Sequence, residues 1–309
     1  MRKPARAAVA LLLLACAPAA GLCFSGPGAS PPPDPSVRSP EEESAGEIAG
    51  ADAHYARRDA GHAGPRADPL EIAAAIAGYE KAAAQSPGSA EARWKLARAL
   101  YFFGTYTDAD PKTRLASYER ARRAGEDAIA VVARRRSRAS PVRELDPAAA
   151  AALVSGDPDA PPAWFWTAVG WGQWALASGR VAAARRGAAS RIRDDCATLI
   201  RLDPLYEEGG GYRILGRLHD QAPKIPFLTG WVSRDEAIRN LRAAVAAAPA
   251  NLVNLHFLGE ALAHRGERAE AERLETDVAR ASPSAGHLVE ELAIQESARK
   301  NLEAWKSKD

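Results

Sequence analysis

Between residues 209 and 283 the alternation of small, large apolar and polar positions repeats itself, and each pass closes on a proline. Pro249 and Pro283 lie 34 residues apart, each ending an alanine-rich run with apolar positions at helical spacing. Counting from Leu252 as the first place, Leu258 and Gly259 fall at places seven and eight, Leu262 at eleven, Gly266 at fifteen, Ala271 at twenty and Pro283 at thirty-two. The preceding pass has Ala237, Leu241, Ala244 and Pro249 at places twenty, twenty-four, twenty-seven and thirty-two, and Gly216 in its first helix.

A stride of this length fits one tetratricopeptide unit, two antiparallel helices and their turns. Helix axes about 8–10 Å apart need glycine or alanine where the backbones come closest. Gly216, Ala237, Ala244, Gly259 and Ala271 are the expected contacts, with Pro249 and Pro283 as helix stops. Earlier in the chain Tyr79, Ala82 and Pro87 keep the same register, and Ala97, Leu100 and Gly104 continue it in the next unit. The prediction is all-α: a tetratricopeptide-like helical repeat, or α-solenoid, with irregular insertions and a capping helix over 285–305.

Between the phased segments lie the irregular ones. A helix is predicted from Lys112 to Arg134, ending in Arg134-Arg135-Arg136-Ser137-Arg138, which either complements the helix dipole or meets acidic lipid head groups or an acidic partner. Ser140 to Pro162 holds five prolines and reads as an extended insertion. It is followed by Ala163-Trp164-Phe165-Trp166 and by Trp171 and Trp174. Four tryptophans in eleven residues exceed the needs of one core face. They pack the core or, for Trp164, Trp166 and Trp174 above all, line a groove for a ligand or partner, together with Tyr212 and Trp231. A further helix is expected over 181–202, and 223–232 reads as an excess loop. Gly209-Gly210-Gly211 before a helix could cradle phosphate. Without a preceding strand or a P-loop lysine, tight chain approach is the favoured reading.

The amino-terminal pattern is of another kind. Arg2, Lys3 and Arg6 precede an apolar run from Ala7 to Ala15, the layout of an export signal (1–22). Leu13-Leu14-Ala15-Cys16 resembles a lipoprotein box, with Cys16 the lipid-bearing residue, although Leu14 is larger than usual there. Ala17-Pro18-Ala19 offers ordinary cleavage instead. Residues 23–66 are read as a stalk rich in Pro, Ser and Glu, with an ambiguous short helix after Gly46, and 67–309 as the helical domain. This layout places the protein in the periplasm.

Composition narrows the function. The 41 basic and 39 acidic residues leave a net charge of +2, and three of the cations belong to the signal, which argues against a nucleic-acid binder. Of three cysteines only Cys196 falls in the predicted domain, on an apolar helix face, so no disulfide framework is expected. The six histidines show no pair three or four residues apart, so neither metal nor cofactor is predicted. The adjacent carboxylates Asp194-Asp195 and Glu290-Glu291 point apart on a helix, and no Gly-x-Ser-x-Gly elbow occurs, so the chain is not expected to be an enzyme.

Taken in order, Ala163-Trp164-Phe165-Trp166, Leu202-Asp203-Pro204-Leu205-Tyr206 with Gly209 to Gly216, a proline loop, Asp235-Glu236-Ala237 and Pro249-Ala250-Asn251-Leu252 resemble the T-component lipoproteins associated with TRAP-type transporters. The resemblance spans 70–283 on loose motifs. The loop at Gly230-Trp231 lacks the family's Gly-Gly pair, and 134–162 is longer and richer in proline. The resemblance implies a lipid-anchored periplasmic helical-repeat protein that forms a trimer with a central pore and docks a solute-binding subunit. An apolar small molecule would be a second partner. The rival expectation is a structural scaffold for envelope or secretion assembly with no ligand channel.

Overall fold

The computed structural model describes residues 39–137, 142–227 and 229–307. Among them there is no strand, only an isolated antiparallel bridge between Ala63 and Arg66, and the fold is all-helical. Thirteen α-helices follow one another: α1 Pro40–Ala56, α2 Pro69–Gln85, α3 Ala90–Tyr106, α4 Pro111–Arg136, α5 Pro147–Val154, α6 Ala160–Ser178, α7 Arg180–Arg185, α8 Ala188–Leu202, α9 Tyr206–Gln221, α10 Arg234–Ala247, α11 Leu252–Arg265, α12 Arg268–Arg280 and α13 Leu288–Lys306. None of these helices is long and apolar enough to cross a membrane. Cys16 and the predicted signal lie outside the described residues.

Four of the starts are written into the sequence as a capping side chain followed by proline. Ser39, Asp68, Asp110 and Asp146 each accept a backbone N–H of the first turn, and each precedes a proline whose missing N–H costs the helix nothing there. At Ser39 the cap is reciprocal, because Glu42 reaches back to accept the Ser39 N–H. These starts correct two expectations. The stalk read over 23–66 gives way to ordered helix at Pro40, with Ser44, Ile48 and Ala51 buried against the next helix. The proline-rich stretch 140–162 carries a 3-10 turn at Val142–Glu144, α5 and the first turn of α6. A third expectation, one helix over 181–202, is divided at Gly187, whose φ of 64° is left-handed.

Many helices pack on their neighbours in the chain, but α6 packs chiefly on α4 and α8 and α5 on α8, and a second set of contacts links α3 to α6, α6 to α9, α9 to α11 and α11 to α13. The small residues picked out by spacing lie at these contacts. Tyr79, Ala82, Ala97, Ala237, Ala244 and Ala271 are buried. A Cβ on Gly104 would come 2.7 Å from the Tyr118 ring, one on Gly216 2.6 Å from Leu241, and one on Gly259 3.0 Å from the Glu275 carboxylate. Pro87, Pro249 and Pro283 sit in the turns after α2, α10 and α12. The closest backbone approach is α4 on α6, where a Cβ at Gly170 would stand 2.9 Å from the Arg122 amide nitrogen.

The last helix joins the two ends of the row. Val289 and Ala293 of α13 pack into the cluster of α1, α2 and α3, while Ala298 and Trp305 pack against α11 and α12. Arg58, just after α1, donates through Nε to Glu290 at 2.9 Å and through Nη2 to the Gly286 carbonyl.

Candidate functional site

The predicted groove residues do not gather in one place. Trp164 is buried in the core of α4, α5 and α6, and Tyr212 is half-buried on α9. Trp231 lies half-buried in the loop before α10, its ring 5.2 Å from that of His219 and 4.9 Å from the Arg193 guanidinium carbon. Trp171 and Trp174 stack edge to face at 5.6 Å inside a sandwich of charge. Arg122 lies 4.5 Å from the Trp171 centroid and forms ion pairs with Glu119 and Glu126, both held at under 3 Å, while Arg186 covers Trp174 and reaches Glu119. The Trp171 indole donates to Glu126 at 3.1 Å. Every charge in this sandwich has a partner of opposite sign or an aromatic face, so these two tryptophans serve packing.

Trp166 belongs to a different assembly, in which it is the only tryptophan. Seven aromatic rings run in contact across four helices. Tyr55 of α1 meets Phe102 at 6.4 Å, and Phe102, Tyr106 and Tyr101 of α3 follow at 5.1 and 5.9 Å. Tyr101 meets Trp166 of α6 at 5.8 Å, Trp166 meets Phe165 at 4.8 Å, and Phe165 meets Tyr206 of α9 at 5.5 Å. Tyr55, Tyr101 and Tyr206 are only half-buried, so solvent reaches the ribbon although it lies deep among helices. Burial pushes the Tyr101 phenol up to about 12 and raises Tyr55 and Tyr206 as well, which keeps all three neutral.

Three arginines flank the ribbon. Arg58 faces Tyr55 and Phe102 and is neutralised by Glu290. Arg98 lies 3.8 Å from the Tyr55 centroid and 5.4 Å from that of Trp94. Arg213 of α9 lies 5.9 Å from Phe165 and donates through Nη1 to the Glu207 carbonyl at 3.1 Å and to Asn254 Oδ1 at 3.0 Å. Arg213 forms no ion pair with a carboxylate among the described residues, and burial pushes its guanidinium down.

The backbone beside Tyr206 is strained. Glu207, Glu208 and Gly209 are all left-handed, with φ of 49°, 57° and 80°, and a non-glycine residue in that region costs about 1 kcal/mol or more. Arg213 and Asn254 hold the carbonyls of this turn, Asn254 donating to Glu208 at 3.0 Å. The glycine run seats the start of α9 against three helices. A Cβ at Gly209 would meet Ala247 of α10, one at Gly210 the Phe165 ring of α6, and one at Gly211 Ile200 of α8. The spacing had pointed to this chain approach, while Tyr101, Tyr206, Arg98 and Arg213 carried no local signal beyond the aromatic density of Tyr101-Phe102-Phe103.

Two further polar clusters lie away from the ribbon. His256, buried on α11, shares a hydrogen bond with Glu275 at 2.9 Å, and Asn301 of α13 donates to Glu260 and Glu275. Asp195 of α8, 1 % exposed, pairs with Arg143 and leaves Oδ2 without a partner; burial raises it to about 6. Cys196 beside it is fully buried, and its thiol is pushed up by that burial. The charged end of α4 is used internally, Arg135 pairing with Asp157 and Asp159. Among the described residues no group of three His, Cys, Asp or Glu side chains could hold a metal ion.

No protein-family model matches the chain, and it matches no curated protein.

Proposed function

We propose that the chain is an exported, non-enzymatic binding protein of tetratricopeptide-like architecture, tethered to the membrane through Cys16, that docks a solute-binding subunit of a TRAP-type transporter. The observation that carries the reading is the aromatic ribbon across α1, α3, α6 and α9. In a row of helix pairs the first helices of successive pairs face inward, and the contacts of α3, α6, α9, α11 and α13 with one another fit that arrangement. A half-buried, aromatic inner wall suits a ligand or a partner segment better than it suits a sealed core. The 34-residue stride and the small residues at the helix contacts support the repeat, and the charged and apolar leader supports export.

Affinity capture of the tagged full chain from native membranes in mild detergent tests the proposal. The expected companions are a periplasmic solute-binding protein and transporter membrane subunits. Recovery of envelope-assembly or secretion components without any transport subunit would favour the scaffold reading, for which the sealed setting of Trp164, Trp171 and Trp174 speaks. Mass measurement of the mature amino terminus tests Cys16, with a lipid-modified cysteine expected and cleavage after Ala19 counting against the anchor.

A further inference from the structure

The corner where α6 passes through α7 into α8 carries one sign of charge. Between Asp159 and Asp194 the chain holds no acidic residue and five arginines, Arg180, Arg185, Arg186, Arg191 and Arg193. The short α7 is bracketed by two left-handed glycines, Gly179 and Gly187, and a Cβ on either would meet nothing within 4 Å, so the corner projects. Ala182 and Ala183 pack on the cluster of Trp171 and Trp174, which leaves Val181 and Arg185 outward, four residues apart on one helix face. Arg180, Arg185, Arg186 and Arg191 are exposed. The acid that reaches this corner, Glu119, is already shared by Arg122, Arg123 and Arg186. Five large apolar side chains stand exposed among the described residues, and two of them flank Gly179: Leu176, 71 % exposed, and Val181, 66 % exposed.

We infer that this corner, with Leu176 and Val181 at its tip and Arg180, Arg185 and Arg191 around them, docks on the surface of an anionic phospholipid bilayer. The two aliphatic side chains enter the boundary between head groups and acyl chains, which removes their exposed area from water. The arginines stay at the level of the phosphates, since their long stems reach back from the apolar tip, and each adds about fivefold to the affinity for an anionic surface. A bilayer is favoured over an acidic protein because the Arg180 and Arg185 guanidinium groups are fixed by no hydrogen bond among the described residues. Unfixed cations suit a fluid layer of phosphates, whereas a protein partner of set geometry would have to order them at a cost in entropy. The inference goes beyond the docking proposal and needs neither a transporter subunit nor a lipid on Cys16.

A local probe tests this in the full chain carrying Cys16→Ser, Cys23→Ser and Ala177→Cys, with an environment-sensitive dye on the introduced thiol; Cys196 is buried and stays unlabelled. Vesicles of equal parts phosphatidylglycerol and phosphatidylcholine are expected to shift the dye emission to the blue and raise its intensity at least twofold, and phosphatidylcholine alone to leave it unchanged. Salt at about 1 M, where the Debye length is about 3 Å, should remove most of the response. Arg180→Gln with Arg185→Gln is expected to raise the lipid needed for half the response at least tenfold, and Arg180→Lys with Arg185→Lys less than threefold. Leu176→Ser with Val181→Ser is the second variant, with at least a fivefold rise expected. The same dye at Leu70→Cys, an exposed apolar position on α2, should not respond. No response at position 177, an equal response to phosphatidylcholine or at position 70, or an unchanged lipid requirement in both the glutamine and the serine variants would overturn the inference. So would a response to polyglutamate without one to vesicles, which would assign the corner to an acidic protein. With no transporter subunit present, such a failure leaves the docking proposal to its own capture experiment.

Discussion

Two places in this molecule set arginine against aromatic rings, and they differ in how completely the charge is answered. In the sandwich between α4 and α6, Arg122 lies on Trp171 and Trp174 with two carboxylates bound, and the indole of Trp171 is satisfied by one of them. On the inner ribbon, Arg213 and Arg98 lie on Phe165 and Tyr55, yet Arg213 has no carboxylate partner among the described residues, and Arg98 shares Asp52 with Lys95 and leaves its Nε without a partner. Residue types are nearly the same in both places. The lesson is that aromatic and arginine content alone does not tell the two places apart, whereas the counter-charges do.

The sharpest way to break this contrast is to remove the answered charge. Arg122→Met leaves the half-buried Glu126 beside Trp171 without its cation, and is expected to cost about 3 kcal/mol in urea unfolding. Next, Gly170→Ala drives a methyl group against the Arg122 backbone, where no flexible side chain can yield. A loss of about 2 kcal/mol is expected, read as a lower melting temperature with unchanged far-ultraviolet circular dichroism.

A smaller effect is expected at Asp195, which has one partner, Arg143, and one unpaired oxygen. Its folded-state value of about 6 is above the ordinary aspartate value of 3.8, so the folded chain binds the extra proton between those limits. Stability from this group is therefore lost as pH rises through that window, by about 1 kcal/mol between pH 5 and pH 7.5. Asp195→Asn should flatten that part of the urea midpoint's pH profile, and an unchanged slope would refute the assignment. Smallest of all, Arg213→Gln should shift stability by less than about 1 kcal/mol in either direction, since it removes a charge that has no counter-ion. A loss as large as that of Arg122→Met would erase the distinction between the two regions.

The helices were legible where small and large residues recur at fixed stride. Ala97 with Gly104, Ala237 with Ala244, and Gly259 with Ala271 all face neighbouring helices, because backbone approach demands small side chains whatever the distant sequence does. Helix α1 was harder to read because its buried face is only Ser44, Ile48 and Ala51, too few and too small to stand out from a solvated stretch. In 140–162 the five prolines point to an extended insertion, although Asp146-Pro147 is the same start signal as Asp68-Pro69 and Asp110-Pro111. The ribbon was illegible for a different reason. Tyr55, Tyr101, Trp166 and Tyr206 come from four helices spread over half the chain, and only the crossing of those helices brings their rings together.

The join between α1 and α13 bears on how the chain folds. In a linear row of helices, each contacting mainly its neighbours, one end can unravel while the other stays intact. Here the Arg58 to Glu290 link spans 232 positions, and Val289 sits among residues of the first three helices. Shortening the carboxyl terminus should therefore loosen Tyr55 and Phe102, seen as faster amide exchange near the amino-terminal end, and melting should be a single transition.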